Sequence, residues 1–448
     1  MIESVEKSQP NPTKKKVSFM GYVELHELQP PTSYVETLAN LFKGNLGTGC
    51  FAMADAIRNA GLVLGPTLLT IIAIICIQCF KMLINGADYI MKANELTSRP
   101  EFAEVVELSF LVNKSDNAKW KKCAAIAKTI CNVAICITQL GFCCVYLIFV
   151  SSSIKLILEH YEIYVKLSVL MTIVLIPVWL SILERKLKKI AILSGLANVC
   201  MILGVFFTVG YSLIDLPSFS DRKYVNFESL PLFFGTAIFA FEGIALILPL
   251  QNAMKEPTKF VGLLGVMNVG MVLVSIIYLF VGFFGYWKYG EATAASLTLN
   301  LPVDQILAQV IIVMVATGVM FGYPIQFFVA IQIMFPPITE KKEYARKNPV
   351  TAELIFRSFI CLVTFAVAQL IPNLSILLSL IGAVFCSMLV FIFPALIELT
   401  TRKAQYDKIG LKYWIKNSII ILMSLIGMIL GGGQALYEIY LGFFKDSN

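Results

Sequence analysis

Gly44-Asn45-Leu46-Gly47-Thr48-Gly49 interrupts the first long apolar stretch of this chain, and Gly235-Thr236-Ala237-Ile238-Phe239-Ala240-Phe241-Glu242-Gly243 interrupts the sixth. Glycines at this density make a poor helix, because each costs about 1 kcal/mol relative to alanine. They also let the backbone leave helical dihedrals and let another group come close. The second stretch sets an ionisable carboxyl beside a glycine in mid-run. In lipid an unpaired backbone N–H or C=O is costly, so a broken helix persists only where something polar completes it. A zwitterionic amino acid does so: its carboxylate meets the N–H groups that open one half-helix, and its ammonium meets the C=O groups that end the other. Breaks at corresponding positions of two five-helix halves are the sequence mark of a transporter binding site.

The rest of the chain fits that frame. Its 448 residues are 58% hydrophobic and 15% charged, with a mean hydropathy of +0.78. A soluble chain carries about 45–50% apolar and about 25% charged residues. The composition excludes a soluble globular protein, a disordered one and a nucleic-acid binder, and the net charge of +7 resides mostly in loops that flank apolar runs. Residues 1–32 are polar, with Pro10, Pro12, Pro30, Pro31 and the run Lys14-Lys15-Lys16. They lack the apolar core of a signal peptide and read as a disordered cytoplasmic tail. Residues 33–448 read as one eleven-helix domain. The expected spans are 36–57, 62–91, 123–150, 164–183, 189–213, 231–251, 261–286, 303–335, 352–371, 374–399 and 414–441. The split at Pro372-Asn373 decides whether the count is odd.

Lysine and arginine set the orientation. Connections on the side of the N-terminus carry 24 of them, those on the other side 6. This predicts a cytoplasmic N-terminus and an extracellular or lumenal C-terminus, in the plasma membrane or an endolysosomal one. The sequons at Asn113 and Asn373 are then expected to stay unglycosylated, the first on the wrong side and the second too near the bilayer. All eleven cysteines lie in or beside apolar runs and read as apolar filler, Cys76 and Cys79 included. His26 and His160 fall outside the spans, which argues against metal or acid–base chemistry within the membrane.

Individual residues leave two readings open. Gly44, Gly47 and Thr48 fit close helix packing of the small-xxx-small kind as well as a binding site. A bare carboxylate at a helix centre costs about 3 kcal/mol, so Glu242 is either a proton carrier or a structural cap for the broken helix. Asp55 reads as a partner of Arg58 before it reads as a cation ligand. Lys128 and Arg357 near span ends are expected to snorkel. Thr317, Gly318, Gly322, Tyr323 and Pro324 mark a kink in the eighth span or part of the pathway. Asn132, Thr138 and Gln139 are expected to hydrogen bond between helices.

Lys43-Gly44-Asn45-Leu46-Gly47-Thr48-Gly49 with Arg58-Asn59-Ala60-Gly61-Leu62, the stretch Gly235 to Gly243 with Leu248-Pro249-Leu250, and Tyr323-Pro324-Ile325-Gln326-Phe327 resemble the first-, sixth- and eighth-helix signatures of the proton-coupled amino acid transporters, solute carrier family 36 of the amino acid/auxin permease group. The resemblance runs from about residue 33 to the end, and Phe51-Ala52-Met53-Ala54-Asp55 looks like insect members. It implies an all-α polytopic membrane protein with a LeuT-like 5+5 inverted repeat, discontinuous helices 1 and 6, and an eleventh helix. It implies sodium-independent symport of small neutral amino acids such as proline, alanine and glycine with a proton, the only coupling ion, and no cofactor or metal. By position it places Gly44, Asn45, Gly47, Thr48 and Gly49 at the substrate carboxylate, Phe239, Phe241, Glu242 and Gly243 on the opposite wall, and Tyr323 along the pathway. Two departures stand out: Asn40 occupies the place of a family histidine, and the outer loops 151–163, 214–230 and 287–302 have no cysteine for a family-type disulfide. Competing expectations are an uncoupled facilitator and an amino acid sensor that docks a partner through residues 92–122. No protein partner is named by the sequence, and no enzyme motif is present.

Overall fold

The structure is a computed structural model describing residues 31–112, 117–184, 187–406 and 409–445, with side chains outside 187–194 and 443–445. The tail through Pro30, the Asn113 sequon, Arg185, Lys186 and Lys408 lie outside the described residues. Among the described residues the regular structure is helical apart from one parallel bridge between Thr32 and Met254. Nine helices among the described residues are long and apolar enough to cross a bilayer. The shorter Leu167–Ile182 and the interrupted first helix bring the spans to eleven.

Span 1 starts where the sequence supplies a capping box: Glu36 N–H donates to Ser33 Oγ at 3.3 Å, and Ser33 N–H donates to Glu36 Oε2 at 2.7 Å. It comprises Tyr34–Asn45, Thr48–Phe51 and Met53–Ala60. Span 2 is Leu64–Ala93, span 3 Ala118–His160, span 4 Leu167–Ile182 and span 5 Leu187–Ser212. Span 6 comprises Leu230–Ala240 and Ile244–Ala253, and span 7 is Val266–Tyr289. Span 8 is Ile306–Met334, span 9 Pro349–Leu370, and span 10 runs from Leu374 to Gln405. Span 11 is Leu411–Lys445. The split after Pro372 is present, because the Asn373 side chain caps the new helix by accepting from Ile376 N–H at 3.2 Å. Span 3 extends well beyond 123–150: a mostly exposed polar turn, 118–122, precedes that stretch, and 151–160 continue the helix with Ser151 and Ser153 buried.

Burial sorts the spans into layers. Of the most apolar window of span 3, 83% is buried inside the protein, against 28% for spans 9 and 11. Span 3 is a central post, and spans 9 and 11 present Leu, Ile and Phe to lipid. Spans 1 and 6 are held between spans 3, 7 and 10. The end of the bundle at which span 1 begins, here the N-face, also holds the end of span 6: Thr32 N–H donates to Ala253 O at 2.8 Å, and Lys255 N–H donates to Thr32 O at 3.0 Å. Thr32 therefore belongs to the helical unit and not to the tail. The opposite face joins the end of span 1 to the start of span 10, where Asp55 pairs with Arg58 at 2.5 Å and accepts from Ser375 Oγ at 2.5 Å. These pairings agree with the parity of eleven crossings.

Two charges depart from expectation. Arg357 does not snorkel: it is 2% exposed, pairs with Glu353 at 2.7 Å and donates to Ile182 O at 2.8 Å. Glu353 lies one turn earlier, and that pairing replaces solvent. Lys128 pairs with Glu107 at 2.6 Å on the neighbouring short helix Phe102–Leu111.

Candidate functional site

Both interruptions are present. Span 1 loses its helix at Leu46 (φ −83°, ψ 79°) and Gly47 (φ −123°, ψ −158°). Span 6 loses it at Phe241-Glu242-Gly243, where Gly243 has φ −130°. Neither break uses a left-handed dihedral, so conformational freedom is not what glycine supplies here. Close approach is. A β-carbon on Gly49 would lie 2.8 Å from Ala240 Cα, and one on Gly243 would lie 2.9 Å from Asn45 Oδ1. The two breaks thus touch each other. Gly44 likewise accommodates Leu246, at 2.5 Å from a β-carbon, and Gly235 meets the backbone of Ser379 in span 10.

Gly47 differs. Its nearest neighbour would be Tyr146 Oη, 3.9 Å from a β-carbon. Of residues 45–50 it alone keeps partial exposure. Asn45 and Thr48 are 4% and 3% exposed, and Glu242 is 8% exposed. The N–H groups of Thr48 and Gly49 at one helix start, and of Ile244 and Ala245 at the other, find no acceptor among the described residues. Asn45 spends its amide nitrogen on Leu41 O at 2.8 Å, which leaves Oδ1 buried without a partner. Glu242 Oε1 is equally buried and unpartnered, and no cation lies within ion-pair distance of it among the described residues. Buried polar atoms in native proteins are almost always satisfied, so these groups mark a place where a polar guest belongs.

The walls come from other spans. Phe239 meets Phe142 of span 3 edge-on at 4.5 Å, and Phe241 packs on Tyr278 of span 7 at 5.1 Å. Tyr146 of span 3 accepts from Gln326 Nε2 of span 8 at 3.4 Å. Glu242 lies within electrostatic reach of Tyr146 and Cys386. Cys386 ends one of two π-helical turns in span 10, Gly382–Cys386 and Met388–Ile392, a wide-turn geometry that recurs at functional sites. Tyr323 stands elsewhere: its hydroxyl is 2.7 Å from Thr364 Oγ1 of span 9, and its ring stacks on Phe327. Thr138 faces Cys386 of span 10, an interhelical contact of the expected kind, whereas Gln139 Oε1 is buried without a partner.

The profile of the family described as transmembrane amino acid transporter protein matches residues 30–437. The chain belongs to that family. As a member of a transporter family it is a membrane protein and not an enzyme. It is 34% identical over 421 residues to the Drosophila melanogaster proton-coupled amino acid transporter-like protein pathetic, covering 93% of this chain and 88% of that one. It is 26% identical over 447 residues to vacuolar amino acid transporter 4 of Saccharomyces cerevisiae, covering 91% of this chain and 58% of that one. A solved manganese transporter of Eremococcus coleocola aligns with 91% of this chain and 94% of its own at a TM-score of 0.43 and 11% identity. In this chain the sequence reading located both breaks but did not place Tyr146, Tyr278 or Cys386 beside them. One signal was available: Gln326 beside the span 8 proline is a polar group that needs a partner.

Proposed function

We propose that this chain carries a small neutral amino acid across the bilayer by alternating access. The substrate sits between the breaks of spans 1 and 6, and Glu242 carries the coupled proton. Spans 1–5 and 6–10 form the two inverted halves, with the N-face cytoplasmic. One observation carries the reading: unpaired N–H groups and unpaired buried acceptors, Asn45 Oδ1 and Glu242 Oε1, converge where the two broken helices meet. The N–H groups suit a carboxylate, and the acceptors suit an ammonium. No lysine or arginine pairs with Glu242 among the described residues, so nothing fixed there selects an anionic side chain. Space for a β-carbon at Gly47, in front of Tyr146 Oη, supports a substrate with a small side chain.

The chemistry follows from solvation. Glu242 is tolerable in a closed, dry site as the neutral acid, and as the carboxylate when water or an ammonium reaches it. Binding and release of one proton can therefore be tied to closing and opening. The test is uptake of labelled proline, alanine and glycine into proteoliposomes over a range of pH, with and without sodium. Wild-type uptake is expected to rise with an inward proton gradient and to ignore sodium. Glu242→Gln is expected to lose the pH dependence. Unchanged uptake by Glu242→Gln at every pH removes Glu242 as the carrier. Uptake that ignores pH in the wild type as well gives an uncoupled facilitator, the outcome Asn40 would favour. Binding without accumulation or exchange gives a sensor.

A further inference from the structure

We propose that Tyr278 is a positioning residue for transport: its hydroxyl holds the two interrupted helices in register, and removing that one proton loosens both ends together. The assignment builds on the transport reading above. Tyr278 stands on span 7, fully buried, with Oη 2.5 Å from Asn45 O and 2.8 Å from Ala240 O. Asn45 and Ala240 are the last helical residues before the two breaks. Carbonyls at a helix end lack intrahelical donors and carry the negative end of the dipole. Asn45 O has one other donor, Gly47 N–H at 3.0 Å, whereas Ala240 O has none among the described residues. A phenol has a single proton to donate, so the two carbonyls share it.

Span 7 is suited to act as the strut, because it packs along both halves of span 1. The ring itself is fixed against Phe241 at 5.1 Å, and Phe in its place would keep that contact while losing the proton. In an open site water reaches both carbonyls, but in a closed site only Tyr278 does. Loss of the hydroxyl therefore penalises the closed form, and transport suffers through affinity more than through folding. Cys50 reports on this, since it is fully buried just past the first break and lies within electrostatic reach of Tyr278.

The experiment compares wild type, Tyr278→Phe and Ser275→Ala in proteoliposomes. Ser275 is the control, one turn earlier on the same helix with its hydroxyl spent on Met271 O at 2.7 Å. Tyr278→Phe is expected to raise KM for the transported amino acid about tenfold, the size of an unsatisfied buried acceptor. It should also speed alkylation of Cys50 by N-ethylmaleimide in the absence of substrate, read by site-resolved mass spectrometry. The amount of folded protein should stay near wild type, and Ser275→Ala should change neither readout. Wild-type KM and wild-type Cys50 protection in Tyr278→Phe overturn the proposal, as does a lower yield with unchanged KM. If Tyr278→Phe does not accumulate, hydrogen exchange on wild-type protein decides. Segments 41–46 and 237–242 must gain protection at one common substrate midpoint, and separate midpoints overturn the idea. If the wild type transports none of the three amino acids, the transport reading fails while the Cys50 comparison still judges Tyr278.

Discussion

Gly47 and Gly49 sit two residues apart and do opposite things. Gly49 lets span 1 lie on the backbone of span 6, with 2.8 Å between a notional β-carbon and Ala240 Cα. Gly47 has room for a β-carbon, with Tyr146 Oη the nearest atom at 3.9 Å. Gly49→Ala should therefore destabilise the fold by about 1–3 kcal/mol, seen as a lower midpoint in thermal unfolding in detergent. Gly47→Val should leave that midpoint within a few degrees, because an extended backbone accepts a β-branched residue, yet abolish uptake by filling the room. If the two substitutions exchange these phenotypes, the substrate does not sit at Gly47. At this scale the sequence was partly legible. A glycine run and a lone glutamate stand out against Leu, Ile and Val, so the breaks could be read directly. Tyr278 could not: it is one aromatic among many in an apolar run, and its role exists only once two helix ends converge on it. Arg357 was misread although Glu353, four residues earlier, was in plain view.

Among the elements, the short helix Phe102–Leu111 lies between spans 2 and 3 and outside the membrane segments. Glu101 at its start is pushed up to about 7 from the ordinary 4.5, first by burial and then by Glu104, with Lys128 opposing. A carboxyl raised in the folded state holds a proton that the unfolded chain has released between these values. Its contribution is thus fully present below about 4.5 and is lost as pH rises through about 7. The thermal midpoint of the wild type should accordingly fall between pH 5 and pH 7.5 by more than that of Glu101→Gln. Equal falls in the two proteins would remove Glu101 as the source. The same scale shows what patterning conveys. Apolar length located all eleven spans, and Asn373 as a cap explains why a turn as short as Ile371–Asn373 suffices. The π turns of span 10 had no signal in the apolar pattern, and neither did the close approach of Gly382 to the backbone of Gly235 at the start of the first turn.

For the whole molecule, orientation is the open quantity that lysine and arginine counting addresses. Cys123 is the only exposed cysteine among the described residues and stands at the N-face end of span 3. An impermeant maleimide should label it in inside-out membrane vesicles and not in intact cells. Labelling in intact cells would invert the topology. Hydropathy and charge make such global features legible, because the bilayer imposes them on every span alike. The mutual placement of the spans was not legible, since it is decided by contacts such as Thr32 with Ala253 and Asp55 with Ser375.

The most direct trial of the central claim is a cryo-EM map of the full chain in lipid nanodiscs with a saturating transported amino acid. The account predicts density for one small zwitterion between Gly47-Thr48-Gly49 and Glu242-Gly243, its carboxylate on the helix-start N–H groups and its ammonium toward Asn45 Oδ1 and Glu242. Spans 1 and 6 running as unbroken helices, or a ligand bound anywhere else with that gap filled by side chains, would contradict it.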